Sequence, residues 1–220
     1  MKIDHVYCVN LKRSTDRKAH MTREFERENM DAEFFPAIDG KLLGRDGAYG
    51  CAMSHLSIWR DIVAKGYENA LIFEDDVTLS SGIQTHLEEI EEPDEWDIIY
   101  LHTIGPVYGM RHDSKLFTGK SLSTAGYIVS NRCAKRLHLL EPDDMGCAID
   151  EFIATKLSLR TFIVEKPLVN GNFDLQLKST IGISVLRVLN SASFSYWFEY
   201  FRGLEVLFIV LILILVKRLW

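Results

Sequence analysis

Short apolar runs rich in β-branched and aromatic residues alternate along the chain with longer segments in which apolar positions recur at helical spacing. The runs are HVYCVNL (5–11), EFFPAI (33–38), ALIFE (70–74), DIIYL (97–101), GYIVS (126–130) and RTFIVEK (160–166). Between them lie a charged segment over 14–30, SHLSIWRDIVAKG (54–66), a segment near 83–91, and NRCAKRLHLLE (131–141). This alternation predicts an α/β fold, a sheet covered by helices. The second helix carries the fullest set of signals. Ser54 is placed to cap it, Leu56, Trp59, Ile62 and Val63 share a face, and Gly66 can end it. On that reading Ser54 and His55 stand at a helix N-terminus, whose free N–H groups favour an anion.

The pattern changes near residue 180. LKSTIGISVLRVLNSAS leads into an aromatic cluster, FSYWFEYFRG, and then VLFIVLILILV (206–216), which has no polar residue and is followed by KRLW. Eleven residues of helix cover about 16 Å, against about 30 Å of bilayer hydrocarbon, so a full span needs Arg202 and Glu205 as well. The expectation is a catalytic domain over 1–180 and a C-terminal hydrophobic helix within 181–220. That helix meets a membrane surface through 194–220, with a buried helix or a homodimer contact as the alternative. The N-terminal MKIDHVYCVNLKRS lacks the continuous apolar region of a secretory signal, so the catalytic domain is expected to be cytoplasmic.

Composition narrows the partners. With 220 residues, 47% hydrophobic and 25% charged, the chain is long enough for one sizeable core. A net charge of −6 without clustered Lys and Arg argues against nucleic acid. Cys8, Cys51, Cys133 and Cys147 are scattered and read as buried free thiols, with no CxxC pair or Cys/His spacing to suggest zinc or a disulfide framework.

The chemistry gathers at ALIFEDDVTLSSG (70–82), where an apolar strand ends in three consecutive carboxylates. If the strand runs on through them, Glu74 and Asp76 share a side about 6.6 Å apart, with Asp75 opposite. Ligands of open α/β sheets collect beyond the carboxyl ends of strands, and hard ions such as Mg²⁺ and Mn²⁺ take carboxylate oxygens together with substrate phosphates.

Three blocks then carry a family resemblance: VYCVNLKRSTDRKAHM, GAYGCAMSHLSIWRDIV followed by ALIFEDDV, and STAGYIVSNRCAKRL. In order and spacing they resemble glycosyltransferase family 25, the lipooligosaccharide and collagen hydroxylysine galactosyltransferases, over about residues 3–169. The resemblance implies a GT-A-like fold with a single Rossmann-type nucleotide-sugar-binding domain. It also implies a UDP-sugar donor, Mn²⁺ or Mg²⁺ as cofactor, and inverting transfer of a hexose such as galactose to a hydroxyl of a glycan, glycolipid or glycoprotein. Asp76 takes the place of the chief metal ligand, helped by Glu74, while Glu74 or Asp75 meets the metal's water shell or the ribose. Asn10, Leu11, Arg13 and Arg17 fall near uracil and diphosphate. Ser54 and His55 reach the diphosphate or sugar, Thr124, Ala125 and Gly126 line the donor pocket, and Lys178 contacts phosphate. Asp150 or Glu151, acids before a later helix, stand where the catalytic base is needed.

Ala48 and Tyr49 depart from the family pattern, which expects a glutamate and an aliphatic residue there. That departure motivates one alternative, a catalytically degenerate domain that binds glycan or scaffolds other proteins. The other alternative is a Mg²⁺-dependent phosphotransferase. It is weakened by Asn10, which stands where such enzymes need an aspartate nucleophile on the first strand.

Overall fold

The computed structural model describes residues 1–103, 110–172 and 175, all within the unit Met1–Ile181. Lys178 and the hydrophobic tail over 181–220 lie outside the described residues. Among those described, no helix is long and apolar enough to cross a membrane.

The expected alternation is present. Strand β1 (His5–Asn10) leads through α1 (Thr15–Arg27) to β2 (Glu33–Pro36), then α2 (Gly47–Lys65), β3 (Asn69–Glu74) and β4 (Val77–Leu79). After α3 (Ile83–Glu88) come β5 (Ile98–Tyr100), β6 (Leu116–Thr118) and β7 (Gly126–Ser130). Helices α4 (Asn131–Leu137) and α5 (Ile149–Lys156) precede β8 (Thr161–Val164) and β9 (Val169–Gly171). The main sheet has the order β2-β1-β3-β7-β5-β8-β6, and β4 pairs with β9 apart from it.

The sheet is mixed. β2, β1 and β3 run parallel, whereas β7 is antiparallel to both of its neighbours, β3 and β5. The carboxyl ends of β1 and β3 therefore meet the amino end of β7 at one edge, with Val9 opposite Glu74 and Phe73 opposite Gly126. Both faces of the sheet are covered, so its strands read as unbroken apolar runs. Tyr7, Val9, Ala70, Ile72, Tyr127 and Val129 pack with Leu56, Trp59 and Ile62 of α2. Cys8, Leu71, Phe73 and Ile128 pack with Met21 and Phe25 of α1.

One boundary corrects the sequence reading. α2 begins at Gly47, not at Ser54, and its cap is Asp46, whose side chain accepts from Tyr49 N at 2.8 Å. The glycines of GAYG read as loop, yet Gly50 is helical because a side chain does not fit there. A Cβ at Gly50 would stand 2.5 Å from Ile38 O and 2.7 Å from Gly40 N. Close packing of backbone against the 38–40 segment outweighs the propensity cost of about 1 kcal/mol. Ser54 and His55 are consequently in the helix interior, away from its N-terminal N–H groups.

Candidate active site

At the sheet edge β3 stops at Glu74, and Asp75 and Asp76 form the turn into β4. The strand alternation therefore holds for Glu74 and Asp75 but not for Asp76. Glu74 continues the α2 side of the sheet, where Thr124 Oγ1 donates to its Oε1 at 2.6 Å and His55 Nε2 lies 3.8 Å away. Asp75 takes the α1 side, accepting from Asn10 Nδ2 and from Arg17 Nη1, each at 2.7 Å. The same Arg17 nitrogen is 3.1 Å from Asp76 Oδ2. Asp76 thus shares its cation with Asp75, contrary to the expectation that it pairs with Glu74.

Arg17 stands in the first turn of α1 and is mostly buried. Its second terminal nitrogen donates to Leu175 O at 2.8 Å. The guanidinium is thus engaged by the acid turn and by the Leu175 carbonyl. Asn10 also donates to Ser14 O, and Leu11 O accepts from Ser14 N, so the end of β1 is held to the start of α1. Arg13 is paired with Asp39, away from the acid turn.

Charge is unbalanced here. Glu74, Asp75 and Asp76 face Arg17, and Asp150 is close enough to feel the charge of Glu74. Burial, then the charge of Glu74, pushes the Asp76 carboxyl up to about 7 against the pull of Arg17. Burial also raises Asp75, although Arg17 and Asn10 oppose it. Burial alone would raise Glu74 as well, but His55 and Thr124 outweigh it and hold Glu74 below its ordinary value.

On the α2 side His55 is fully buried, with Nδ1 2.8 Å from the Tyr127 hydroxyl, which also accepts from Trp59 Nε1 at 3.1 Å. Its Nε2 has no hydrogen-bond partner among the described residues. Ser54 is equally buried: its hydroxyl donates to Gly50 O at 2.6 Å and accepts from Ile38 N. The hydroxyl is therefore engaged in joining α2 to the 38–40 segment, which corrects its assignment to an anion.

Asp150 and Glu151 occupy the first turn of α5, whose cap is Ala148. Asp150 Oδ1 accepts from Glu151 N at 2.8 Å. Burial raises its pKa, and the charge of Glu74 adds to the effect, so Asp150 belongs to the acid group. Glu151 and Asp150 both add their charge to the surroundings of Cys147. Of the β7 segment, Thr124 reaches the site directly, and Ala125 O accepts from Glu74 N. Gly126 does not expose its backbone as expected: a Cβ there would meet the Val169 side chain at 2.8 Å, so this glycine serves packing beneath β9.

Cys51 is the residue that sequence reasoning passed over. Four positions before His55 on α2, it joins His55 and Glu74 in a group whose ligand atoms lie within 4.8 Å of one another. All four cysteines are free thiols, but only Cys8 and Cys133 are buried as expected, whereas Cys51 and Cys147 are partly exposed. The CAMSH spacing carried the signal, but only once one helix is known to run through both residues. Tyr127 and Trp59, read as core, were recognisable from pattern alone only as apolar positions.

The family model "Glycosyltransferase family 25 (LPS biosynthesis protein)" matches residues 3–46 and 43–153. Similar curated proteins include a "Glycosyltransferase 25 family member" of Aedes aegypti, 27% identical over 186 residues. "Procollagen galactosyltransferase 1" of Danio rerio is 29% identical over 188, and "Probable inactive glycosyltransferase 25 family member 3" of Bos taurus is 29% identical over 189. Each match takes in 70% of this chain, which spans only about a third (31%) of the length of these relatives. Among solved structures, a glycosyltransferase involved in the glycosylation of the major capsid of PBCV-1 aligns with TM-score 0.47 and 9% identity, over 74% of this chain and 81% of that one. With its matched segments reaching from residue 3 to residue 153, the chain belongs to glycosyltransferase family 25.

Proposed function

We propose that this domain transfers a hexose, galactose by analogy with its procollagen relatives, from a UDP-sugar to an acceptor hydroxyl with inversion, on a GT-A-type scaffold. The observation that carries the reading is the run of three acids where β3 ends, Glu74, Asp75 and Asp76, with Arg17 paired to the last two and Asp150 near enough to feel the charge of Glu74. Such a surplus of buried negative charge suits a divalent cation, and oxygen donors suit Mn²⁺ or Mg²⁺. Asp76, aided by Glu74, would hold it, and the ion would neutralise charge on the departing diphosphate. Asn10 and Arg17 fix the Asp75 carboxylate, and with it the turn that presents Asp76. Asp150 is the better placed of the two candidate bases. Its burial raises its proton affinity, the direction that favours accepting a hydroxyl proton.

The test is a panel of nucleotide sugars incubated with the full chain and glycan acceptors, with Mn²⁺ or with EDTA, for the wild type and Asp76→Ala. Transfer that needs Mn²⁺ and drops at least a hundredfold in the variant is expected. Undiminished transfer by the variant, or in EDTA, refutes the metal assignment. The proposal also holds the domain at the cytoplasmic face of a membrane through 194–220, on the strength of the apolar and aromatic composition there. Flotation of the full chain with anionic vesicles checks that part.

One observation favours a second reading. Arg17 already contacts both Asp75 and Asp76, as a domain that needs no metal would arrange, and one bovine relative is named as inactive. In that case the domain binds glycan alone. Calorimetry separates the two, because acceptor binding without UDP-sugar or Mn²⁺ binding favours the second.

A further inference from the structure

We propose that Cys51, His55 and Glu74 form a Zn²⁺ site on the α2 side of the sheet edge, which shares Glu74 with the acid group facing Arg17 and lies across the sheet from Asp75. Cys51 and His55 are four residues apart on α2 and so project from one helix face, while Glu74 rises to meet them from the end of β3. The three ligand atoms lie within 4.8 Å of one another. Tetrahedral zinc with bonds of about 2.0–2.2 Å to nitrogen and oxygen separates those atoms by about 3.3 Å. His55 Nε2 and Glu74 Oε1 are 3.8 Å apart, too far for a hydrogen bond and within a small side-chain adjustment of sharing an ion.

The second observation is the unpartnered nitrogen. His55 is fully buried, and among the described residues its Nε2 has no hydrogen-bond partner, although it lies 3.8 Å from the Glu74 carboxylate. An unsatisfied buried nitrogen costs about 1–3 kcal/mol, so its retention calls for a ligand. The outer contacts also suit metal ligation. The Tyr127 hydroxyl meets His55 Nδ1 and can fix the ring, and the Thr124 hydroxyl donates to Glu74 and fixes the carboxylate.

Ligand chemistry sets the ion. A thiolate and an imidazole prefer zinc to Mn²⁺ or Mg²⁺, which the all-oxygen group around Asp76 would favour. Binding displaces the Cys51 proton to solvent and places the thiolate sulfur, the imidazole nitrogen and a carboxylate oxygen on the metal. Cys51 and Glu74 are only half-buried, unlike His55. Occupancy would also engage Glu74 in zinc and leave Asp76 as the main ligand for a donor-site cation.

Cobalt(II) is the probe, added to the full chain after chelator treatment, with zinc then titrated in competition. The expected result is a thiolate-to-cobalt charge-transfer band that saturates at about one equivalent, with tetrahedral visible bands, and that zinc abolishes. Cys51→Ser should remove the band and weaken zinc binding at least tenfold, while Cys147→Ser and Asp76→Asn retain it. Absence of a saturable band in the wild type overturns the proposal, as does a band that survives in Cys51→Ser or vanishes in Cys147→Ser. The wild-type titration decides the matter even if Cys51→Ser fails to fold. Because these readouts are spectroscopic, loss of Mn²⁺-dependent sugar transfer leaves them unchanged, and the two proposals fail separately.

Discussion

Replacing Asp76 with asparagine should stabilise the metal-free domain above neutral pH. In the folded chain the Asp76 carboxyl is raised from 3.8 to about 7, first by burial and then by the charge of Glu74. An acid whose folded pKa exceeds its unfolded one gives up its proton more readily on unfolding. Its contribution to stability is therefore intact below about pH 4, falls as the pH rises between the two values, and levels off above about 7. At about 1.4 kcal/mol per pH unit the difference sets a ceiling of about 4 kcal/mol. Asp75 and Asp76 share Arg17, so part of the strain passes to Asp75, and a realistic figure is about 2–3 kcal/mol. Asparagine keeps the shape of the side chain and removes the charge, while Arg17 retains Asp75 at 2.7 Å.

The assay is urea unfolding in EDTA at pH 4.5, 6 and 8 for the two proteins. The variant should be the more stable by only about 0.5 kcal/mol at pH 4.5 and by about 2–3 kcal/mol at pH 8. Exchanging EDTA for Mn²⁺ at pH 8 should narrow the gap by stabilising the wild type alone. A variant no more stable than wild type at pH 8 would show that Arg17 already balances the turn, and the argument for a cation at Asp76 would lose its footing.

Two further outcomes follow from the packing around this edge. Gly50→Ala gains about 1 kcal/mol of helix propensity but forces a methyl to within 2.5 Å of Ile38 O, so thermal unfolding should show a net loss of about 1–3 kcal/mol, and a stabilised variant would contradict the close contact. Tyr127→Phe removes the hydroxyl that accepts from Trp59 Nε1 and meets His55 Nδ1, leaving buried nitrogens without a partner; urea unfolding should show a loss of about 2–4 kcal/mol, and a change under about 0.5 kcal/mol would mean the network contributes nothing.

Much of this was legible from the sequence because burial on both faces writes itself plainly. ALIF and GYIV are apolar throughout since each strand lies between helices, and the EDD turn had to fall where β3 leaves the core. The start of α2 was not legible. Gly47 and Gly50 argue locally for a loop, and only the approach of the 38–40 backbone, distant in sequence, explains a helical glycine. From that boundary the error spread to Ser54 and His55, which look like a cap and an anion site when the helix starts there and are core residues when it starts seven positions earlier. The same boundary hid Cys51, because an i, i+4 pair exists only inside a helix. The face of Asp76 was misjudged for a related reason: period-two alternation is a property of strands, and the strand had ended.

The three acids do different work because the strand ends between them. Glu74, still in β3, is held on the α2 side of the sheet by Thr124, which lies just before β7, with His55 of α2 nearby. Asp75, one residue on, is pinned to the α1 layer through Arg17 and Asn10. The turn is thus held from both sides of the sheet, and Asp76 is presented at the edge as the carboxylate with the most raised proton affinity of the three. A solvated acidic turn would not need two layers of support, nor would it tolerate the cost worked out above for Asp76. Retaining buried charge at the expense of stability makes sense where a cationic ligand offsets the loss, so a divalent ion that binds the turn should stabilise the wild type and leave Asp76→Asn little changed.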